Sequence, residues 1–127
     1  MDDMLKVYKE RRREYEEKIH SDLAKIEDNI RDFVSVGDYF SVRVDENLVS
    51  IKAIECDGSV HLAVRSDDMD DFIAFDDLTL TENPDLILWI IQNSSLIEKG
   101  FVEVLINAVR NGENIVNTLK SLKLNYE

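Results

Sequence analysis

At 127 residues, 44% of them hydrophobic and 33% charged, the chain carries apolar material for one core and lacks the composition of wholesale disorder, so a single domain spanning 1–127 is expected. Its only cysteine, Cys56, excludes an internal disulfide framework and fits a reducing compartment. Met1-Asp2-Asp3-Met4 is charged rather than apolar, and the longest apolar run, Leu86 to Ile91, is about a third of the roughly 20 residues a membrane span needs. Neither secretion nor membrane insertion is predicted, and the expected location is the cytoplasm.

The first segment, residues 1–35, reads as an amphipathic helix. Met4, Tyr8, Tyr15, Ile19, Leu23, Ile26, Ile30 and Phe33 recur at three- and four-residue spacings with one gap of seven at Arg11, and neither Gly nor Pro interrupts them. Such a helix would reach about 50 Å, longer than a globule of this size. The stripe is narrow, and Lys9-Glu10-Arg11-Arg12-Arg13 weakens it, so Ile19 to Phe33 is expected to pack on the domain. The half before it, through Met4, Tyr8 and Tyr15, is left available to a partner or to a second copy in a homodimer. The arginine triplet lies among Glu10, Glu14, Glu16 and Glu17, with Arg13 and Glu17 at i,i+4 spacing; it reads as a solvated helix face rather than a phosphate site.

At Val36-Gly37-Asp38 the period changes from helix to strand, opening a segment of residues 36–81. Phe40, Val42 and Val44, then Val49, Ile51 and Ala53, then Val60, Leu62 and Val64 alternate with mostly polar neighbours, which predicts three half-buried strands. Asp45-Glu46-Asn47 supplies the first turn, and Asp57-Gly58 is a strong hairpin signal. Phe72-Ile73-Ala74-Phe75 reads as a fourth short strand, and the meander either curls into a small barrel or packs on a helix. The run Gly37-Asp38-Tyr39-Phe40-Ser41-Val42, the Asp57-Gly58 hairpin and the last strand leading into Asp77-Leu78-Thr79-Leu80 resemble the strand order of SH3-like and Tudor-like small barrels over about a third of the chain. The resemblance implies a fold and carries no ligand with it; only Tyr39, Phe40, Phe72 and Phe75 could contribute to an aromatic cage.

Residues 82–127 read as two or three short helices. Asn83 is a candidate cap, Pro84 takes the first helical position and Asp85 suits the helix dipole. Leu86 to Ile91, with Trp89 at its middle, is expected to be buried on most sides. Asn93-Ser94-Ser95 interrupts the helix, Ser95 and Glu98 have capping-box spacing for the next one through Phe101, Val104, Leu105 and Ala108, and Asn111-Gly112 reads as its stop. Ile115, Val116, Leu119 and Leu122 form a last short helix. The expected class is α+β: a long helix, an antiparallel meander of three or four strands, and a helical segment.

Charge supplies the functional reading. Of the net −12, residues 36–81 carry −8, and the flanking segments carry −2 each. A field of that sign repels phosphate backbones and attracts a basic protein surface, so direct nucleic-acid binding is not expected. The acidic residues Glu55, Asp57, Asp67, Asp68, Asp70, Asp71, Asp76 and Asp77 are therefore the candidate partner contacts. They do not form a calcium loop: Phe72 stands where a third ligand belongs, and no Gly makes the sharp turn. Cys56 lies between Glu55 and Asp57, which disfavours a thiolate. His20 and His61 read as surface residues without a partner in sequence, and the four glycines are scattered. No catalytic residue, cofactor or metal is predicted. The expectation is a non-enzymatic regulatory or adaptor protein for a basic partner, in its specific form an inhibitor that fills a nucleic-acid-binding groove as small phage-type anti-defence proteins do. An assembly component joined through the first helix and a secretion-type chaperone are the alternatives.

Overall fold

The structure, a computed structural model, describes residues 2–126, with side chains to residue 122. It is α+β as expected. Helix α1 (Asp2–Ile30) leads into strands β1 (Tyr39–Val44), β2 (Asn47–Cys56), β3 (Ser59–Ser66) and β4 (Ile73–Ala74), a 3-10 turn at Phe75–Asp77, and helices α2 (Pro84–Gln92) and α3 (Ser94–Tyr126).

The strands form one antiparallel sheet in the order β1-β2-β3-β4. β1 and β4 do not meet, so the meander stays open rather than curling into a barrel. Its fourth strand is two residues long, too short to close a sheet against β1. The cage aromatics disperse accordingly. Phe75 is fully buried, Tyr39 is exposed, the Phe72 ring lies under Lys52 Nζ at 5.7 Å, and Phe40 meets Phe101 edge to face at 5.0 Å.

Register puts Ile51 opposite Val64, Ala53 opposite Leu62 and Phe40 opposite Ile51, so these side chains share one face. That face packs on Leu23, Ile30, Ile87, Ile90, Ile97 and Phe101 of the three helices. The other face is largely open, with Ser41 and Ser50 joined by a 2.7 Å hydroxyl contact. At the β2–β3 turn Asp57 and Gly58 both take positive φ, 53° and 80°, the requirement of a two-residue type I′ hairpin. Gly58→Ala places a Cβ in the left-handed region and is expected to cost about 1 kcal/mol by the intrinsic penalty alone. Chemical denaturation measures it; a variant as stable as the parent would show that the turn relaxes to another type.

The first helix behaves in two halves. Every residue from Asp2 to Tyr15 is exposed, Met4, Tyr8 and Tyr15 among them, and packing begins at Ile19. Lys18 and Lys25 pair with Asp22 along it, and Arg31, just past its end, pairs with Asp28; Arg13 and Glu17 do not pair.

The last third differs most from expectation. Instead of two helices after α2 there is one of 33 residues, and Asn111-Gly112 lies inside it. An interior glycine costs about 1 kcal/mol relative to Ala, which weakens a helix without ending it. Only Asn93 separates α2 from α3, where its Nδ2 donates to Trp89 O at 2.8 Å. The Ser95–Glu98 capping box does not form. Leu88 is exposed and Trp89 half-buried, so the run from Leu86 to Ile91 is buried on one side only, through Ile87 and Ile90.

Candidate functional site

A concavity lies where three connections converge at one end of the sheet. The β1–β2 turn brings Asp45, which holds φ 55°. The β3–β4 loop brings Asp68 and Met69, fixed by a tight turn in which Met69 N donates to Ser66 O at 2.9 Å. Next to them, Asp67 closes the sheet: its Oδ2 accepts from Leu48 N at 2.9 Å and its N–H donates to Leu48 O at 3.2 Å. Asp67 is thus spent on structure, and Asp68 is the residue turned into the concavity.

The third wall is the start of α2. Thr79 N donates to Asn83 Oδ1 at 3.3 Å and Glu82 N to Thr79 Oγ1 at 3.1 Å, a turn that delivers the chain to Pro84 at the first helical position. Asn83 therefore braces the preceding turn instead of capping the helix through its side chain. Asp85 and Trp89 stand four residues apart, on one side of α2.

The result is an open groove of about 480 Å³, with Asp45, Asp68, Glu82 and Asp85 around a floor that includes Val49, Met69, Leu86 and Trp89. Among the described residues, no lysine or arginine lines it. Four carboxylates beside a half-buried indole suit an ammonium or guanidinium group: the carboxylates supply charge and the ring supplies a cation–π face. Nothing in the groove pairs a nucleophile with a base.

Of the remaining acidic candidates, Asp70 and Asp71 are exposed on the β3–β4 loop, near the groove but outside its lining. Glu55 and Asp57 flank the β2–β3 hairpin at the far end of β3, about 25 Å away at the rise of an eight-residue strand. Asp76 and Asp77 stand on the 3-10 turn, Asp76 Oδ2 being 3.8 Å from His61 Nδ1. The eight acidic candidates thus do not form one continuous face. Asp45, Glu82, Asp85 and Trp89 were missed as site residues; the four-residue spacing of Asp85 and Trp89 was a signal that could have found those two.

A second cluster joins α1 to β3. Ala53 spends its own backbone groups on the β1 side, donating to Asp38 O and accepting from Gly37 N, so its register partner Leu62 presents its N–H to the opposite edge. β4 ends before reaching it. Glu27 Oε2 accepts from Leu62 N at 2.7 Å, and four residues on, Arg31 Nε donates to Val60 O at 3.1 Å. One side chain of α1 and one from the turn just past its end thus occupy the place of a missing strand. His61 was expected to be a surface residue without a partner; its Nδ1 lies 3.2 Å from Glu27 Oε2. His20 likewise is half-buried, with Nε2 2.9 Å from Leu78 O.

Glu27 is 3% exposed. Burial holds its carboxyl above the ordinary 4.5, with Asp76 acting in the same sense, against the opposing pull of the Leu62 N–H and of His61. One ligand atom from each of Glu27, His61 and Asp76 lies within 4.8 Å of the others, a separation three ligands of one divalent cation could adopt. Of these three groups, the Glu27 carboxylate already accepts from Leu62 N at the sheet edge.

Comparison with protein-family models, with curated proteins and with solved structures finds no match. No helix among the described residues is long and apolar enough to cross a membrane.

Proposed function

We propose that this chain is a non-enzymatic adaptor or regulator that captures a basic segment of a partner protein in the acidic groove beside Trp89. The observation that carries this reading is the composition of the groove wall: Asp45, Asp68, Glu82 and Asp85 around a half-buried indole, without a lysine or arginine. In a chain of net charge −12, such a groove draws in a cationic segment and seats one of its side chains against the ring. Filling the basic cleft of a nucleic-acid-binding partner, and so inhibiting it, is one use of that chemistry, and the cytoplasm is the compartment we assign to it.

Trp89 is the single tryptophan, so its emission reports occupancy directly. Titration with a lysine- and arginine-rich peptide is expected to change Trp89 fluorescence with an affinity that falls steeply with salt. Replacing Asp45, Asp68 and Asp85 with Asn and Glu82 with Gln is expected to weaken binding about 10- to 100-fold, since each exposed pair contributes about 0.2–1 kcal/mol. Neutralising Glu55 and Asp57 at the distant hairpin serves as the control. Equal affinity of the groove variant and the parent would sink the reading.

A further inference from the structure

Beyond its last buried residue, α3 carries a surface that the groove does not explain. Phe101, Leu105, Ala108, Gly112, Ile115, Leu119 and Leu122 follow one another at alternating spacings of four and three, the repeat of a coiled-coil seam. The seam begins in the core, at Phe101, and runs out of it: exposure rises from 38% at Leu105 to 60% at Ile115, with 53% at Leu119 and 46% at Leu122. Val109 and Val116, both exposed, flank it. Between Val104 and Leu122 the charged residues are Glu103's successors on the helix back, Arg110, Glu113 and Lys120, and all three lie at positions turned away from the seam. In so acidic a chain, this is the long stripe on which two copies could meet without bringing like charges together.

We propose that this seam is covered by the same seam of a second copy, running antiparallel. The side-chain sizes select that arrangement. Antiparallel pairing sets Leu105 against the second copy's Leu122, Ala108 against its Leu119 and Gly112 against its Ile115, so each small residue faces a large one. Parallel pairing would set Gly112 on Gly112 and Ala108 on Ala108, leaving gaps. The antiparallel arrangement is also a closed two-fold one, and it places the two acidic domains at opposite ends of the helix pair. With Leu105, Val109, Ile115, Val116, Leu119 and Leu122 each between 38% and 60% exposed, the stripe offers about 500 Å² of apolar surface per copy, so two copies would cover about 1,000 Å² together, near the low end of specific interfaces.

The test uses the full chain and does not involve the groove or its peptide. Light scattering at about 100 µM, a concentration chosen to populate even a weak dimer, is expected to give twice the 14.7 kDa of one chain, and Leu119→Asp is expected to return it to a single chain mass with unchanged circular dichroism of the sheet. In a Cys56→Ser background, a mixture of Leu105→Cys and Leu122→Cys copies is expected to form the mixed disulfide on oxidation. A parent that is monomeric at that concentration, a Leu119→Asp variant that remains dimeric, or Leu105→Cys copies that cross-link to one another would overturn the proposal. So would loss of the dimer in a Tyr8→Asp, Tyr15→Asp double variant that keeps α3 intact, which would put the interface on α1.

Discussion

Phe101→Ala is expected to lower the unfolding free energy by about 3 to 5 kcal/mol, the range for removing a buried aromatic ring. Phe101 is 1% exposed and meets Phe40 at an interplanar angle of 89°, so it is the point at which α3 is attached to β1. The attachment is tight on the neighbouring residue too. A Cβ built on Gly100 would stand 2.6 Å from the Phe40 ring, closer than real contacts allow, and Gly100→Ala is expected to cost about 1 to 3 kcal/mol through forced repacking. Urea midpoints at unchanged slope measure both. A shift below about 1 kcal/mol for Phe101→Ala would mean that α3 is held elsewhere.

The second large effect concerns Glu27. Replacing it with Ala removes the acceptor for Leu62 N–H at a buried edge and is expected to cost about 1 to 3 kcal/mol. Glu27→Gln should behave differently, because the amide oxygen can take the same hydrogen bond while the buried charge disappears. The folded carboxyl keeps its proton to higher pH than the unfolded chain's does. Its stabilising contribution is therefore complete below the ordinary value of 4.5 and is lost as pH rises through the raised folded value. The parent's stability is expected to fall across that window by an amount the Gln variant does not show, with the two converging at the acid end. Stability curves of parent and variant that stay parallel across the window would rule out Glu27 as the titrating group.

The strands were legible because their signals are local. Alternation at Phe40, Val42 and Val44 or at Val60, Leu62 and Val64 needs no knowledge of the rest of the chain, and Asp57-Gly58 fixes its own turn. Helix α3 was misread at Gly112 because residue identity suggested a stop there. A single unfavourable position is a small cost beside the helical propensity of the residues on both sides. The groove was less legible for a different reason. Asp45, Asp68 and the pair Glu82 and Asp85 come from three connections, and the hydrogen bonds of Asp67 and Asn83 that bring those connections together have no signature in composition. Asp68 was singled out only as part of an acidic run. Glu27 and His61 are separated by 34 residues, and only the early end of β4 leaves an edge for Glu27 to fill.

That filled edge ties two events into one. When α1 lifts from the sheet, Leu62 N–H and Val60 C=O lose Glu27 and Arg31 at the same moment, and the backbone amide of Leu62 becomes free to exchange with solvent. Leu62 exchange therefore times the undocking of α1, while amides in the unpacked turns before Tyr15 exchange by local fraying that leaves the sheet untouched. The chain is therefore expected to come apart in at least two cooperative units, with Ile19, where packing begins, marking the boundary between them.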